Sequence, residues 1–195
     1  MDKSKFPALS RRGFVTGAGK MTLSAAAISV LSGCKLFGGG GSSDAAASDV
    51  KILNIALGLE HEAINAYQLG AGSGLLQKPV LDVAVLFQSH HKGHRDALVA
   101  TIRNLGGTPV EEKPLTDYAR ALNAAALRNQ TDILELAARL ELGATNAYLG
   151  VIPAFKDTGL AKVAARLAAD ETMHWSILSN ALGKPLPAAA LYFGA

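Results

Sequence analysis

From Asp49 onward, apolar residues recur at intervals of three or four positions along the chain. Side chains at this spacing share one face of an α-helix. No stretch shows the alternation of apolar and polar residues that is typical of a half-buried β-strand. The pattern therefore predicts an all-α domain.

Glycine and proline residues divide this pattern into four long helices and one short helix. Ser48 and Asp49 are expected to cap the first long helix, which ends near Leu69. The other predicted elements are a second helix from Pro79 to just before Gly106, a connection containing Pro109 and Pro114, a short helix over about 116–127, a third long helix over 132–149 and a fourth over about 160–182. Four helices of about 30 Å with a long middle connection suit a four-helix bundle.

An internal repeat relates the two halves of this bundle. The segment LEHEAINAY, residues 59–67, matches LELGATNAY, residues 140–148, at six of nine positions. His91, His94 and Leu98 are followed 80 positions later by Glu171, His174 and Leu178. The domain is therefore interpreted as two related helical hairpins.

Each long helix carries ionisable residues in the middle of its otherwise apolar core-facing side. Unpaired carboxylates are costly to bury, so a group of them at one level of a core requires partners or a cation. Carboxylate oxygens combined with imidazole nitrogens suit iron or manganese. The candidate metal ligands are Glu60, His91, His94, Glu141, Glu171 and His174.

This arrangement resembles the ferritin-like superfamily, and among its members the exported bacterial ferritin-like-domain proteins, over about residues 49–183. The resemblance implies one or two iron or manganese ions per chain, held by Glu60, His94, Glu141, Glu171 and His174. His91 departs from the family pattern, which has a glutamate there that usually bridges two metals. The three glutamates offer a charge of −3, whereas a pair of divalent ions carries +4. One ion, an asymmetric pair and an emptied site all stay open.

Several polar residues lie near these candidates. His90 stands one helical turn before His94 and is either an alternative ligand or a supporting or exposed residue. His61 and Glu62 lie off the core-facing side and are expected to be solvated. Tyr67 and Tyr148 are expected to be core aromatics with hydrogen-bonded hydroxyls, rather than redox-active groups.

Residues 1–34 have the features of an export signal. Arg11 and Arg12 lie in the segment SRRGF ahead of an apolar stretch, 21–33, that is too short to span a bilayer, which resembles a twin-arginine (Tat) signal. The stretch ends in LSGC, which resembles a lipoprotein box whose thiol, Cys34, would be lipidated. Cys34 is the only cysteine, so the chain has no internal disulfide.

The signal implies an exported protein on the periplasmic or cell-envelope face, with the Tat machinery and the membrane, through the lipid, as partners. Residues 35–48 are small and flexible in composition and are interpreted as a tether. The apolar tail, residues 184–195, is expected either to cap the bundle or to contact another chain in a homo-oligomer. Neither alternative is favoured by the sequence.

Charge excludes one class of function. Residues 1–34 contain five of the 19 basic and one of the 16 acidic residues, which leaves 14 basic and 15 acidic residues in the remainder. A net charge of about −1 does not provide the basic face that nucleic-acid binding requires.

The leading hypothesis is an exported metal-binding bundle with oxidase or peroxide-consuming activity. If the protein is an enzyme, a non-haem iron or manganese oxidoreductase is expected. The alternative is a metal-poor, non-catalytic envelope protein that acts in stress tolerance or protein interaction, which the presence of His91 favours.

Overall fold

A computed structural model describes residues 43–194 of the chain. Within this range all regular secondary structure is helical, which confirms the predicted fold class. The export motif with Arg11 and Arg12, and the lipidation site Cys34, lie outside the described residues. The helices are α1 (Ser43–Gly72), α2 (Lys78–Asn104), α3 (Leu115–Ala121), α4 (Gln130–Val151) and α5 (Thr158–Ala181), with 3₁₀ turns at Ala124–Ala126 and Ile152–Ala154.

The four long helices form two antiparallel hairpins. The most extensive packing joins α1 to α2 and α4 to α5, while α1 also packs on α4. The connection between α2 and α4 carries α3, which lies against α1. This pairing agrees with the two hairpins inferred from the internal repeat.

The short helix after α2 differs from its predicted extent. A single helix was expected over about 116–127, whereas α3 ends at Ala121 and a separate 3₁₀ turn follows. Asn123 lies between them with a φ of 52°, a left-handed conformation that interrupts a helix.

The start of the first helix also differs from the expectation. Helix α1 begins at Ser43, so residues 43–48 of the expected tether are helical. Asp49 is buried, and its carboxylate accepts hydrogen bonds from the backbone N–H groups of Lys156 at 2.9 Å and Asp157 at 3.1 Å. Asp49 therefore fixes the loop that precedes α5, a contact across the bundle that local capping chemistry does not reveal.

Side-chain caps define the starts of the two helices of the second hairpin. The Asn129 side chain accepts a hydrogen bond from the N–H of Asp132, at the first turn of α4. The Asp157 side chain accepts from the N–H of Gly159 at the start of α5. These caps satisfy N–H groups that have no partner within their own helix.

The apolar core is divided into two clusters at opposite ends of the bundle. The Leu57 cluster consists of Leu53, Ala56, Leu57, Ala97, Leu98, Ile102, Tyr148, Leu160, Ala164, Leu167 and Ala168. The Phe87 cluster consists of Tyr67, Ala84, Phe87, Leu134, Ala138, Trp175 and Leu178. Buried polar side chains occupy the level between them, where the candidate ligands lie.

The C-terminal tail packs against its own bundle. The ring of Phe193 contacts Trp175 edge to face, with ring centroids 5.2 Å apart. The N–H of Gly194 donates to the side-chain oxygen of Asn146 on α4 at 2.8 Å. Of the two alternatives for the tail, the structure therefore shows contact with the protein's own helices.

Within residues 43–194, the helices lack the combination of length and apolar character that a membrane crossing requires.

Candidate metal centre

The six candidate ligands meet at the middle of the bundle, one set from each long helix. Helices α1 and α4 each provide one glutamate, and α2 and α5 each provide two residues three positions apart, which share a helix face. None of the six is more than 9% exposed: Glu60, His91, His94, Glu141, Glu171 and His174. The core-facing register inferred from the sequence is therefore confirmed, while metal ligation by these residues stays a prediction.

The six residues fall into two overlapping groups, each able to hold an ion. The first group joins Glu60, His91, His94 and Glu171. His94 Nδ1 lies 3.1 Å from Glu171 Oε1 and 3.5 Å from Glu60 Oε2. All four ligand atoms lie within 4.8 Å of one another.

The second group is related to the first by the internal repeat and joins His91, Glu141, Glu171 and His174. His174 Nδ1 lies 3.1 Å from Glu171 Oε2 and 3.5 Å from Glu141 Oε1. Glu171 thus presents one carboxylate oxygen to each group. Glu171 is therefore a candidate ligand common to both groups.

His91 is the second shared residue, and its two ring nitrogens face opposite sides of the centre. Nδ1 lies 2.8 Å from Glu60 Oε2, and Nε2 lies 3.2 Å from Glu141 Oε1. Nδ1 is also 3.7 Å from Glu171 Oε1. One ring therefore contacts all three buried carboxylates.

Two tyrosines orient the glutamates from the opposite hairpin. The Tyr148 hydroxyl donates a hydrogen bond to Glu60, and the Tyr67 hydroxyl donates to Glu141. Burial and the neighbouring carboxylates raise the pKa of both hydroxyls, so they stay protonated and remain donors. The expectation of hydrogen-bonded core tyrosines is confirmed, but the sequence did not indicate that their partners are the glutamates of the other hairpin.

The outer nitrogens of two histidines have their own partners. His94 Nε2 lies 3.3 Å from Asp170 Oδ2, and His174 Nε2 lies 2.9 Å from His90 Nδ1. A ligating histidine usually has such a partner, which fixes the orientation of the ring. His90 belongs to neither group and so supports His174. Asp170 was missed, although its position just before Glu171 on α5 could have indicated it.

Electrostatic contacts offset the burial of these charges. Burial opposes ionisation of Glu60, yet the neighbouring rings of His91 and His94 lower its pKa to about 2. Burial also disfavours a charged His91, yet Glu141, Glu60 and Glu171 raise the pKa of its ring to about 10. The Glu60 carboxylate and the His91 ring therefore stabilise each other's charged forms.

In the other ionisable side chains of the centre, contacts between carboxylates and histidines also outweigh burial in setting the pKa, with one exception. Contacts with His174 and His91 hold the pKa of Glu141 below its usual range despite burial. The carboxylates likewise raise the pKa of His94 and of His174, although burial opposes this. Glu171 differs because burial outweighs its histidine contacts and raises its pKa.

Unpartnered buried atoms in the centre are compatible with a bound cation. Five buried side-chain atoms have no hydrogen-bond partner among the described residues, although buried polar atoms rarely lack one. Two of them are His61 Nδ1 and Thr145 Oγ1, and the other three are Glu141 Oε2, Glu171 Oε1 and His94 Nδ1. These last three are atoms of candidate ligands. A set of carboxylate oxygens and imidazole nitrogens matches the preferences of iron and manganese.

One expectation about the surroundings was wrong. His61 is 5% exposed rather than solvated, because the connection after α2 covers it. Its Nε2 lies 3.3 Å from the carbonyl oxygen of Val110. Helical periodicity could not reveal a loop that folds over this side of α1. His61 and Glu62 belong to neither ligand group, as expected.

Comparisons with known proteins agree with the helical fold. The crystal structure of a conserved hypothetical protein from Mycobacterium tuberculosis is similar to this chain, with a TM-score of 0.58 and 23% sequence identity, and the match covers 76% of this chain and 99% of that one. At this identity the likeness shows the fold alone. Comparison with curated proteins gives no match. The family model described as a ferritin-like domain matches residues 48–184, and the chain therefore belongs to the ferritin-like domain family.

Proposed function

We propose that this bundle binds iron or manganese, one divalent ion per chain, in its buried centre and uses the ion for redox chemistry. The observation that carries the proposal is the meeting of three buried glutamates and three buried histidines between two apolar clusters. The unpartnered atoms of Glu141, Glu171 and His94 support it. A cation would satisfy the unpartnered atoms of the ligand group that it occupies.

The stoichiometry follows from the chemistry of His91. A neutral imidazole has one nitrogen with a free lone pair, while the other carries a proton. Because Nδ1 faces Glu60 and Nε2 faces Glu141, His91 can complete only one of the two groups at a time. A carboxylate at this position would offer an oxygen to each group. We therefore propose one fully ligated ion in the natural chain.

The ion would supply a centre that changes oxidation state, which suits oxidation of Fe(II) or consumption of peroxide. The protein's own residues prepare the site for it. Tyr67 and Tyr148 hold two of the carboxylates in place. The two apolar clusters exclude bulk water from both ends of the centre. Asp170, whose side chain is 42% exposed, connects His94 to the solvent, and its carboxylate oxygen Oδ2 lies 3.3 Å from His94 Nε2, where it can accept the proton-bearing nitrogen's hydrogen bond.

We also propose that the protein is exported by the Tat machinery and tethered to the membrane. The support is the sequence alone: the twin arginines Arg11 and Arg12, the apolar stretch after them and Cys34 at the end of a lipoprotein-type box. Export by this route would allow a bundle that is already folded and loaded with metal to reach the cell envelope.

A second function is favoured by the contacts of His91. Each of the three glutamates already faces at least one histidine. Protonated histidines can therefore neutralise the buried carboxylates without a metal ion. The protein would then be a metal-poor envelope protein that acts in stress tolerance or protein interaction. A content below about 0.2 ions per chain after incubation with Fe(II) or Mn(II) would favour this alternative.

Elemental analysis tests the metal site. After incubation with Mn(II) and removal of excess metal, we expect about one ion per chain. Glu141→Gln should weaken Mn(II) binding at least about tenfold, because the amide loses the charge while its oxygen still accepts from Tyr67. Glu135→Gln is the matched control, since Glu135 lies on the same helix with its side chain 53% exposed. Equal losses in both variants would contradict the proposed site.

Substitution of His91 tests the stoichiometry. His91→Glu should raise the content to about two ions per chain, because both groups then gain a carboxylate oxygen. In His91→Gln the side chain has the length of glutamate but no charge, and the content should stay near one ion per chain. A content of one in both variants would show that His91 does not limit the number of ions.

Binding should strengthen as the pH rises. In the metal-free protein the neighbouring carboxylates raise the pKa values of His94 and His174 despite burial, so protons compete at neutral pH with an ion in either ligand group. We expect Mn(II) affinity to rise by roughly tenfold per pH unit for each proton released, as long as the pH lies below the raised pKa of the ligating ring, and to level off above it. Calorimetry in two buffers of different ionisation enthalpy measures the release. An affinity independent of pH would exclude these rings as ligands.

Fractionation of bacterial cells tests the tether. We expect the natural chain in the membrane fraction and Cys34→Ala in the soluble fraction of the envelope, because the substitution removes the thiol that would carry the lipid. Mn(II) binding should be the same in both, since Cys34 is not one of the candidate ligands. Retention of Cys34→Ala in the membrane would contradict lipidation as the anchor.

A further inference from the structure

We propose that an apolar cavity beside the metal centre binds a small neutral apolar molecule and presents it to the Glu141 side of the site. The cavity has a volume of about 260 Å³ and lies between α1, α2, α4 and α5, at the end of the bundle that contains the α1–α2 turn. That this molecule is a substrate or co-substrate of a metal site rests on the proposed function. The binding itself needs no metal.

The cavity lining defines the chemistry of the ligand. Apart from Tyr67 and Glu141, every residue that lines the cavity is apolar. The Tyr67 hydroxyl is already used by Glu141, and no lysine or arginine lines the cavity to neutralise an acid. A carboxylate or phosphate would therefore be buried without a partner, which is costly. A neutral hydrocarbon or aromatic molecule meets no such penalty.

The two polar residues in the lining connect the cavity to the candidate ligands. Glu141 belongs to the second ligand group, and its Oε2 atom has no hydrogen-bond partner among the described residues. It is only 1% exposed. A molecule in the cavity would therefore lie next to a carboxylate of the metal centre and away from bulk water.

The internal repeat supplies a comparison within the same molecule. Tyr67, Leu134 and Ala137 line this cavity, and the residues related to them by 81 positions, Tyr148, Leu53 and Ala56, line a cavity at the opposite end of the bundle. That second cavity measures only about 20 Å³.

The difference between the two ends shows that the fold does not require the larger space. Equivalent positions of the two hairpins are well packed at one end and leave a void at the other. A void of this size is destabilising when empty, because its lining loses packing contacts. A ligand that fills it would offset that loss.

Small residues create the space, and partly exposed residues provide an entrance. Ala66 on α1 and Ala137 on α4 leave the centre of the cavity open. Ile177, which is 48% exposed, lines the cavity near the end of α5 and places its mouth at the protein surface. A ligand can therefore enter without passing through the metal centre.

The volume sets the size of the ligand. An apolar protein cavity of about 150 Å³ holds benzene, so a cavity of this size suits a molecule of about ten non-hydrogen atoms. The probe is therefore n-butylbenzene, and the control ligand is 4-phenylbutyrate, which has a similar shape with a negative charge.

Calorimetry on the metal-free full chain, in the Cys34→Ala background and without detergent, tests the binding. We expect n-butylbenzene to bind at one molecule per chain and 4-phenylbutyrate to bind at least tenfold more weakly. Ala137→Leu and Ala66→Leu, two independent cavity-filling substitutions, should each reduce n-butylbenzene binding at least tenfold. Ala165→Leu, at an exposed alanine of α5 away from the cavity, should bind like the parent.

The outcomes separate this proposal from the metal site. No saturable binding, equal binding of both ligands, or equal binding by Ala165→Leu and by whichever cavity variant folds would overturn the cavity proposal, whatever the metal content. With Co(II) bound in place of the natural ion, n-butylbenzene should shift the visible absorption of the ion. An unchanged spectrum in protein that still binds n-butylbenzene would overturn its placement beside the centre.

Discussion

Three glutamate carboxylates are buried at one level of an otherwise apolar bundle, and the remaining features of the centre follow from the need to stabilise their charge. Each carboxylate faces a histidine ring, and two of them accept hydrogen bonds from tyrosines of the opposite hairpin. His91 contacts all three. Because an unpaired buried charge is strongly unfavourable, these contacts also hold the four long helices in one register. A metal ion in the same place would compete with protons for the rings.

The repeat explains the symmetry of the centre, and two departures from that symmetry bear on the proposed chemistry. Glu60 and Glu141 occupy equivalent positions, and so do His94 and His174. The first departure is His91, which stands where the second hairpin has Glu171. The second is the cavity, which is large beside Glu141 and nearly absent at the equivalent position at the opposite end of the bundle. Both departures distinguish the two sides of one centre, which agrees with the proposal of one ion and a second reactant that approaches from one side.

The sequence predicted the features that depend on helical periodicity. Glu60, His91 and the other candidate ligands were identified because an ionisable residue on an apolar helix face is conspicuous, and the repeat confirmed the register. Features that depend on contacts between distant segments were not predictable in this way. Asp49 bonds to a loop more than 100 residues away, and His61 is covered by the connection after α2. The cavity could not be predicted from the sequence either, since it depends on how alanines of different helices face one another.

The most direct test of the account is anomalous diffraction from crystals of the protein grown with Mn(II). The account predicts one strong anomalous peak per chain, in the level between the Leu57 cluster and the Phe87 cluster and next to the Glu171 carboxylate. A core without such a peak, or a peak bound only by residues outside the two ligand groups, would contradict it.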